Sequence, residues 1–211
     1  MKKALSSTAL LAKKYNLINW QGSWLDNFGQ PELRGVWSVS GHSGSGKTSF
    51  LLQLAKELTK YGRVLYNSLE EGDSKTMQRA WKLHKIAECG RKIQLIQEGT
   101  SELTERLEKR QSPEIVITDT FQYTKMNWDQ YWKLKNKFSN KLLIFNQQMD
   151  GNKIMMKTGI RVNYDADLKI WIEGFKAFSK GRSFGKNWQS GFVIWDEGER
   201  SYWGEKNKII S

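Results

Sequence analysis

The sequence predicts an α/β fold: a mostly parallel β-sheet flanked by helices, with a C-terminal β-hairpin. Short apolar runs alternate with segments of helical periodicity along most of the chain, which is the pattern of β-α-β units. The stretch Gly41-His42-Ser43-Gly44-Ser45-Gly46-Lys47-Thr48 falls between one such run and one such helix. A later run, Glu114-Ile115-Val116-Ile117-Thr118-Asp119, ends in an acid at the point where a parallel strand would reach the same sheet edge.

The elements follow in order. Residues 2–15 place Ala4, Leu5, Thr8, Leu11, Ala12 and Tyr15 on one helical stripe, with Lys2, Lys3, Lys13 and Lys14 off it. This predicts an amphipathic basic arm over residues 1–18, ahead of a core domain over 19–211. Residues 19–35 carry Trp20, Trp24, Phe28 and several glycines, and read as a short hairpin or loop covering the core edge. Val36–Ser40 reads as a buried strand. Ser49–Tyr61 reads as a helix, with Phe50, Leu51, Leu54, Ala55 and Leu58 in register and Gly62 as its stop. Arg63–Asn67 is a second strand, Ser74–Ala87 a helix capped by Ser74 or Asp73, Lys92–Ile96 a third strand, and Ser101–Arg110 a helix ended ahead of Pro113. Asn127–Ser139 reads as a helix and Leu142–Phe145 as a strand that runs into Asn146-Gln147-Gln148. From Gly151 to Asp165 the periodicity fails, which predicts a long irregular loop. Strand-like runs return at 168–173, 175–179 and 192–196, and the Gly191–Gly198 strand with Tyr202-Trp203 reads as the terminal hairpin.

Bulk composition narrows the class. The 211 residues suit one domain with a short arm. The single cysteine, Cys89, excludes a disulfide within the chain and fits a reducing compartment. No apolar run approaches the ~20 residues of a membrane span, and the start is too polar and basic for a signal peptide. The expectation is a cytoplasmic protein, or one of the host cytoplasm if a mobile element encodes it. The net charge of +12 favours an anionic partner. Residues 133–186 hold 12 Lys/Arg against 4 Asp/Glu. This concentration of charge points to nucleic acid, with Lys153, Lys157 and Arg161 inside the irregular segment as candidates.

The motif chemistry is specific. G-x-x-x-x-G-K-[ST] between strand and helix is the phosphate-binding P-loop. Its glycines turn backbone N–H groups toward phosphate oxygens at a helix N-terminus. Residues Gly41 to Ser49 would thus bind ATP, Lys47 reaching the β- and γ-phosphates and Thr48 serving Mg²⁺. Asp119, ending an apolar strand some 70 residues on, fits the Walker B carboxylate that serves the same metal. A base for the attacking water would sit at the end of the second strand, where Glu70 and Glu71 stand side by side. An amide from Asn146-Gln147-Gln148 could bond the γ-phosphate.

These residues resemble the RecA-like P-loop NTPases, and within them the DnaB helicase motor and RadA, over about residues 20–203. Val64-Leu65-Tyr66-Asn67-Ser68-Leu69-Glu70 is similar to the family's second strand, which puts the catalytic glutamate at Glu70. Phe145-Asn146-Gln147 is similar to the motif of the phosphate-sensing glutamine, hence Gln147. The segment Gly151–Tyr164 falls where the family has DNA-binding loops. Lys180-Gly181-Arg182-Ser183-Phe184-Gly185 resembles the hairpin that reaches ATP on an adjacent subunit, which makes Lys180 and Arg182 trans-acting candidates. The resemblance implies an ATP-hydrolysing ring or filament on single-stranded DNA. A RecA-fold switch acting on a protein partner is the alternative. RadA's zinc cysteines have no counterpart here, and Gln30-Pro31-Glu32 replaces the family's glycine pair before the first strand.

Overall fold

The computed structural model describes residues 4–182 and 185–210. In chain order it has α1 (Ser7–Leu11), α2 (Gly22–Phe28), β1 (Gly35–Gly41), α3 (Lys47–Leu58), β2 (Val64–Ser68), α4 (Lys75–Leu83), β3 (Ile93–Ile96), α5 (Thr100–Glu108), β4 (Ile115–Asp119), α6 (Trp128–Lys137), β5 (Leu142–Asp150), β6 (Lys153–Ile154), α7 (Lys157–Asp165), β7 (Leu168–Glu173), β8 (Lys176–Gly181), β9 (Phe192–Val193) and α8 (Asp196–Ile210). The strands form one sheet in the order β3-β2-β4-β5-β1-β7-β8-β9, and β6 pairs only with β5. The strands from β3 to β7 in that order run parallel; β8 and β9 close the far side antiparallel.

Strand parity sorts the core into two layers. Trp37, Val39, Val64, Tyr66, Ile115, Ile117, Leu142 and Ile144 point to one face, where α2, α3 and α4 pack. Val36, Leu65, Val116, Leu143 and Phe145 point to the other, under α5, α6 and α7. The first two crossovers run outward from β1 on one face. The next three return on the opposite face. Reversing direction and face together keeps one hand throughout, as parallel crossovers require. The turnover leaves a crevice at the C-terminal ends of β1, β4 and β5.

Four expectations need correction. Among its described residues the arm forms only the five-residue α1, capped by Ser6, and no residue of α1 is buried. Without a surface to cover, its apolar stripe gains nothing from helix formation, and so short a helix does not propagate. Lys2 and Lys3 lie outside the described residues. The chain joins the core at Ile18, fully buried, whose N–H donates to the Pro31 carbonyl. Residues 19–35 hold α2 rather than a hairpin. Trp20, Trp24 and Phe28 pack with Trp37, Phe50 and Phe192 in an aromatic cluster under the first layer.

The segment 151–165 is not irregular. Gly151, at φ 52°, turns β5 into β6, with Met149 opposite Ile154, and α7 follows. Its buried stripe is thin: Ile154, Gly159, Val162 and Ala166, too few apolar side chains to register as periodicity. The terminal hairpin is likewise a two-residue β9 followed by α8. Asp196, Glu197 and Glu199 lie in the first turn of α8, where carboxylates favour a helix start. The antiparallel hairpin after the parallel sheet is β7–β8.

Gly159 fixes how closely α7 approaches the sheet. A Cβ there would lie 2.3 Å from Gln147 Oε1 and 2.9 Å from Ile154 Cγ2. Gly159→Ala is therefore expected to lose about 1–3 kcal/mol through overpacking, despite the better helix propensity of alanine. Urea unfolding measures it, and a midpoint at or above the parental value would contradict this packing.

Candidate functional site

The phosphate loop is built by its backbone. Gly44 and Gly46 hold φ values of 74° and 98°, and Gly46 N-caps α3, so the loop curls around the helix start. Gly41 ends β1 so close to β7 that a Cβ would lie 2.4 Å from the Ile172 carbonyl oxygen. Ser45 Oγ and Lys47 Nζ both donate to the His42 carbonyl oxygen, at 2.8 and 2.6 Å. The His42 ring meets Trp171 edge-on, 6.1 Å between centroids. Burial lowers the Lys47 pKa, and the carboxylates of Asp119 and Glu70 oppose that shift.

A cavity of about 340 Å³ opens against this loop. Lys47, Thr48 and Ser49 line one side of it; Glu70, Glu71, Asp119, Asn146 and Gln148 line the other. Asp119 is 5% exposed and accepts from two side chains on the flanking strands. Tyr66 Oη donates to Oδ2 at 2.6 Å, and Asn146 Nδ2 donates to Oδ1 at 2.5 Å. Thr120 Oγ1 stands 3.1 Å from Asp119 Oδ1 and 2.8 Å from Glu70 Oε2, so its single proton serves one of them at a time. Gln148 Nε2 donates to both Glu70 oxygens, at 2.9 and 3.0 Å. Burial first, then Asp119 and Glu70, raises the pKa of the Glu71 carboxyl. Burial and Asp119 also push the Tyr66 phenol well up, so it stays a donor.

The donor set suits a hard divalent cation. Thr48 and Asp119 offer oxygen ligands only, and the buried Asn146 Oδ1 beside them has no protein partner. Among the described residues no group of three His, Cys, Asp or Glu could hold a metal without help. Mg²⁺ bound together with phosphate oxygens needs only one or two protein ligands, so these residues fit it.

Glu70, Lys47, Thr48 and Asp119 thus share one cavity, but Gln147 is not among them. Odd residues of β5 point to the α7 face. Gln147 is fully buried there, donating from Nε2 to Ser38 Oγ at 2.7 Å. Asn146 and Gln148, of the opposite parity, face the cavity. Lys180 and Arg182 lie at the other end of the sheet. Lys180 pairs with Lys169 and Gly181 with Leu168, about 10 and 13 Å along the strands from the Ile172–Gly41 pair beside the loop. Gly181, at φ 126°, interrupts the extended run between them, and Arg182 turns onto Asp167 Oδ1 at 2.7 Å. Ser183 and Phe184 lie outside the described residues. Lys153, on β6, and Lys157 and Arg161, on α7, are all exposed.

Sequence reasoning missed Tyr66 and Thr120 as parts of the site, settled on Gln147 where its neighbours Asn146 and Gln148 face the cavity, and also missed Phe175. That residue sits in the β7–β8 turn at φ 58°, donates its N–H to the Ser45 carbonyl, and lines the cavity. Parity supplied a signal for two of them: Tyr66 and Asn146 share the sheet face on which Asp119 ends its strand.

The chain carries the RecA-like P-loop fold that its motifs imply. It is similar to the crystal structure of the flagellar accessory protein FlaH from Methanocaldococcus jannaschii, at a TM-score of 0.60 and 14% identity, over 85% of this chain and 92% of that one. It is also similar to a KaiC-like protein from Pyrococcus horikoshii, at a TM-score of 0.51 and 15% identity, over 74% and 82% of the two chains. No protein-family model and no curated protein matches the sequence. At such identities the likeness establishes the fold alone.

The three acids crowd one another, and this has a measurable sign. Glu71 has a raised pKa in the folded state, so its ionisation costs stability at neutral pH. That cost vanishes below the ordinary glutamate range, about 4.3. Glu71→Gln should therefore raise the thermal midpoint at pH 7, with the gain fading to nothing below about pH 4. Scanning calorimetry across that range checks it; a loss at pH 7, or a gain that does not depend on pH, contradicts the crowding.

Proposed function

We propose that the protein is a Mg²⁺-dependent ATPase that acts on single-stranded DNA as a ring or filament. The observation that carries the reading is the convergence of Lys47, Thr48, Glu70 and Asp119 on one cavity at a helix N-terminus. The loop amides and Lys47 would hold the phosphates, and Thr48 and Asp119 would hold the metal. When bound, Mg²⁺ neutralises phosphate charge. Glu70, fixed by Thr120 and Gln148, would take the proton of the attacking water. The position proposed from sequence for the γ-phosphate sensor passes from Gln147 to its neighbour Gln148, which has the parity to reach the site. Lys180 and Arg182 lie too far to serve their own loop, which supports a role in an adjacent subunit's site.

DNA as substrate is supported by the basic excess over 133–186 and by the exposure of Lys153, Lys157 and Arg161 on β6 and α7. A second reading, an ATPase switch on a protein partner, draws on the exposed Leu5, Leu10 and Leu11 of the arm. The fold's likeness to a flagellar accessory protein is compatible with it.

In steady-state assays Lys47→Ala should abolish hydrolysis. Glu70→Gln should bind nucleotide but turn over roughly 10²–10⁴-fold more slowly. Mixing Lys47→Ala with Arg182→Ala subunits should recover part of the rate; co-assembled mixtures that stay inactive rule out a shared site. Parental turnover by Glu70→Gln moves the base elsewhere.

Binding to single-stranded DNA should weaken steeply with salt. Neutralising Lys153, Lys157 and Arg161 together should flatten the log–log slope by roughly one unit for each phosphate the protein no longer neutralises. Absence of binding at low salt would favour the protein-partner reading.

A further inference from the structure

The second sheet face carries a surface that the phosphate-binding machinery does not use. Helices α6 and α7 both return from the loop edge, side by side. On α6, Trp128, Trp132 and Lys135 follow at i, i+4 and i+7; on α7, Lys157, Arg161 and Tyr164 do the same. Each helix thus presents one stripe that mixes rings and cations. The stripes are knitted together. The Arg161 guanidinium lies 5.7 Å over the Trp128 ring, and Trp128 and Trp132 have centroids 5.7 Å apart. Lys135 lies 5.3 Å over Trp132 while pairing with Asp165 at 2.5 Å, beside Tyr164. Lys169, entering β7, lies 5.6 Å over the Tyr164 ring.

Two of these rings are open to solvent. Trp132 is 46% exposed and Tyr164 75% exposed, although the core beneath them is closed by Tyr131, Leu134 and Val162. The inner side of this face is already packed, so the two exposed rings are not needed to close the core. Asp165 neutralises Lys135, which leaves Lys157, Arg161 and Lys169 as cations spaced along the strip. Rings flanked by cations suit one chemistry best: bases stacked on the rings, with phosphates beside the cations.

We propose that single-stranded DNA lies along this α6–α7 strip, with bases stacked on Trp132 and Tyr164 and the backbone followed by Lys157, Arg161 and Lys169. This rests on the DNA reading above and extends it from charge to stacking. Binding would then be tolerant of sequence, since every base has a π-face.

Fluorescence anisotropy with labelled oligo-dT and an abasic strand of equal length tests it. Trp132→Ala and Tyr164→Ala should each weaken oligo-dT binding roughly 5- to 150-fold while leaving the salt slope unchanged, because the cations that meet the phosphates stay in place. Trp132→Phe and Tyr164→Phe should restore most of the affinity. The parental protein should prefer oligo-dT to the abasic strand, and the double alanine variant should lose that preference. The comparison of the two strands needs only the parental protein if a variant folds poorly. Equal parental affinity for the two strands, or alanine variants that bind oligo-dT undiminished, overturns the stacking site while the DNA reading stands. No binding of either strand by the parental protein removes both.

Discussion

A carboxylate buried as deeply as Asp119 must be matched by donors, or it destabilises the fold by several kcal/mol. The match comes from the two strands flanking its own: Tyr66 on β2 and Asn146 on β5. The backbone adds to it, since the Leu69 N–H donates to the Asp119 carbonyl at 2.6 Å. One charge therefore holds the ends of three strands in register. It also sets where Glu70 can stand, because Glu70 leaves β2 next to that contact and is bonded through Thr120 to the same cluster. Replacing this network with apolar packing would be acceptable for stability alone. Its presence at the sheet edge makes sense as a support for a cation.

That edge is a consequence of topology. The chain leaves β1 toward one face and returns from β4 and β5 toward the other, so no connecting segment crosses the gap between them. The P-loop closes one wall of the gap with main-chain N–H groups and the dipole of α3, and the acids close the opposite wall. A phosphate group between these walls would meet partial positive charge on one side and a bound cation on the other. The lowered pKa of Lys47 reflects the same geometry, since a half-enclosed ammonium lacks a full hydration shell until an anion arrives.

Legibility in the sequence followed the range of the interaction. The glycine-rich loop and the strand that ends in Asp119 were readable as elements because each is a local pattern, set by its own backbone or strand end. Core strands were readable because burial on both faces makes them continuously apolar. Gln147 against Gln148 was not readable from the motif, because only the strand's register decides which parity faces the cavity. Once Val36–Ser40 and Leu142–Phe145 are known to pair, Ser38 and Gln147 fall on the same face. Helix α7 was lost for a different reason: it fully buries only one glycine and one valine, and apart from Ile160 and the exposed Tyr164 its other positions are polar or charged. The C-terminal helix was obscured by Trp195, Tyr202 and Trp203, aromatic residues that suit a strand equally well.

The site and the basic face are joined by a short covalent and hydrogen-bonded route. Gln148 holds Glu70 through its side chain. Its carbonyl accepts from Gln122 Nε2 at 3.1 Å and from the Met155 N–H at 3.2 Å. Two residues beyond Met155, α7 begins, and its first exposed positions are Lys157 and Arg161. Gln147, on the other face of the same strand, lies against Gly159 within α7. One strand end thus contacts the acid of the nucleotide cavity on one side and the helix of the basic strip on the other. The backbone of β5 between them is paired to β1 as far as Gln148, so both contacts are anchored on one fixed strand end. A shift of Glu70 would reach α7 only where the Gln148 side chain does not absorb it first, and on that side the close seat of Gly159 on Gln147 leaves α7 little slack.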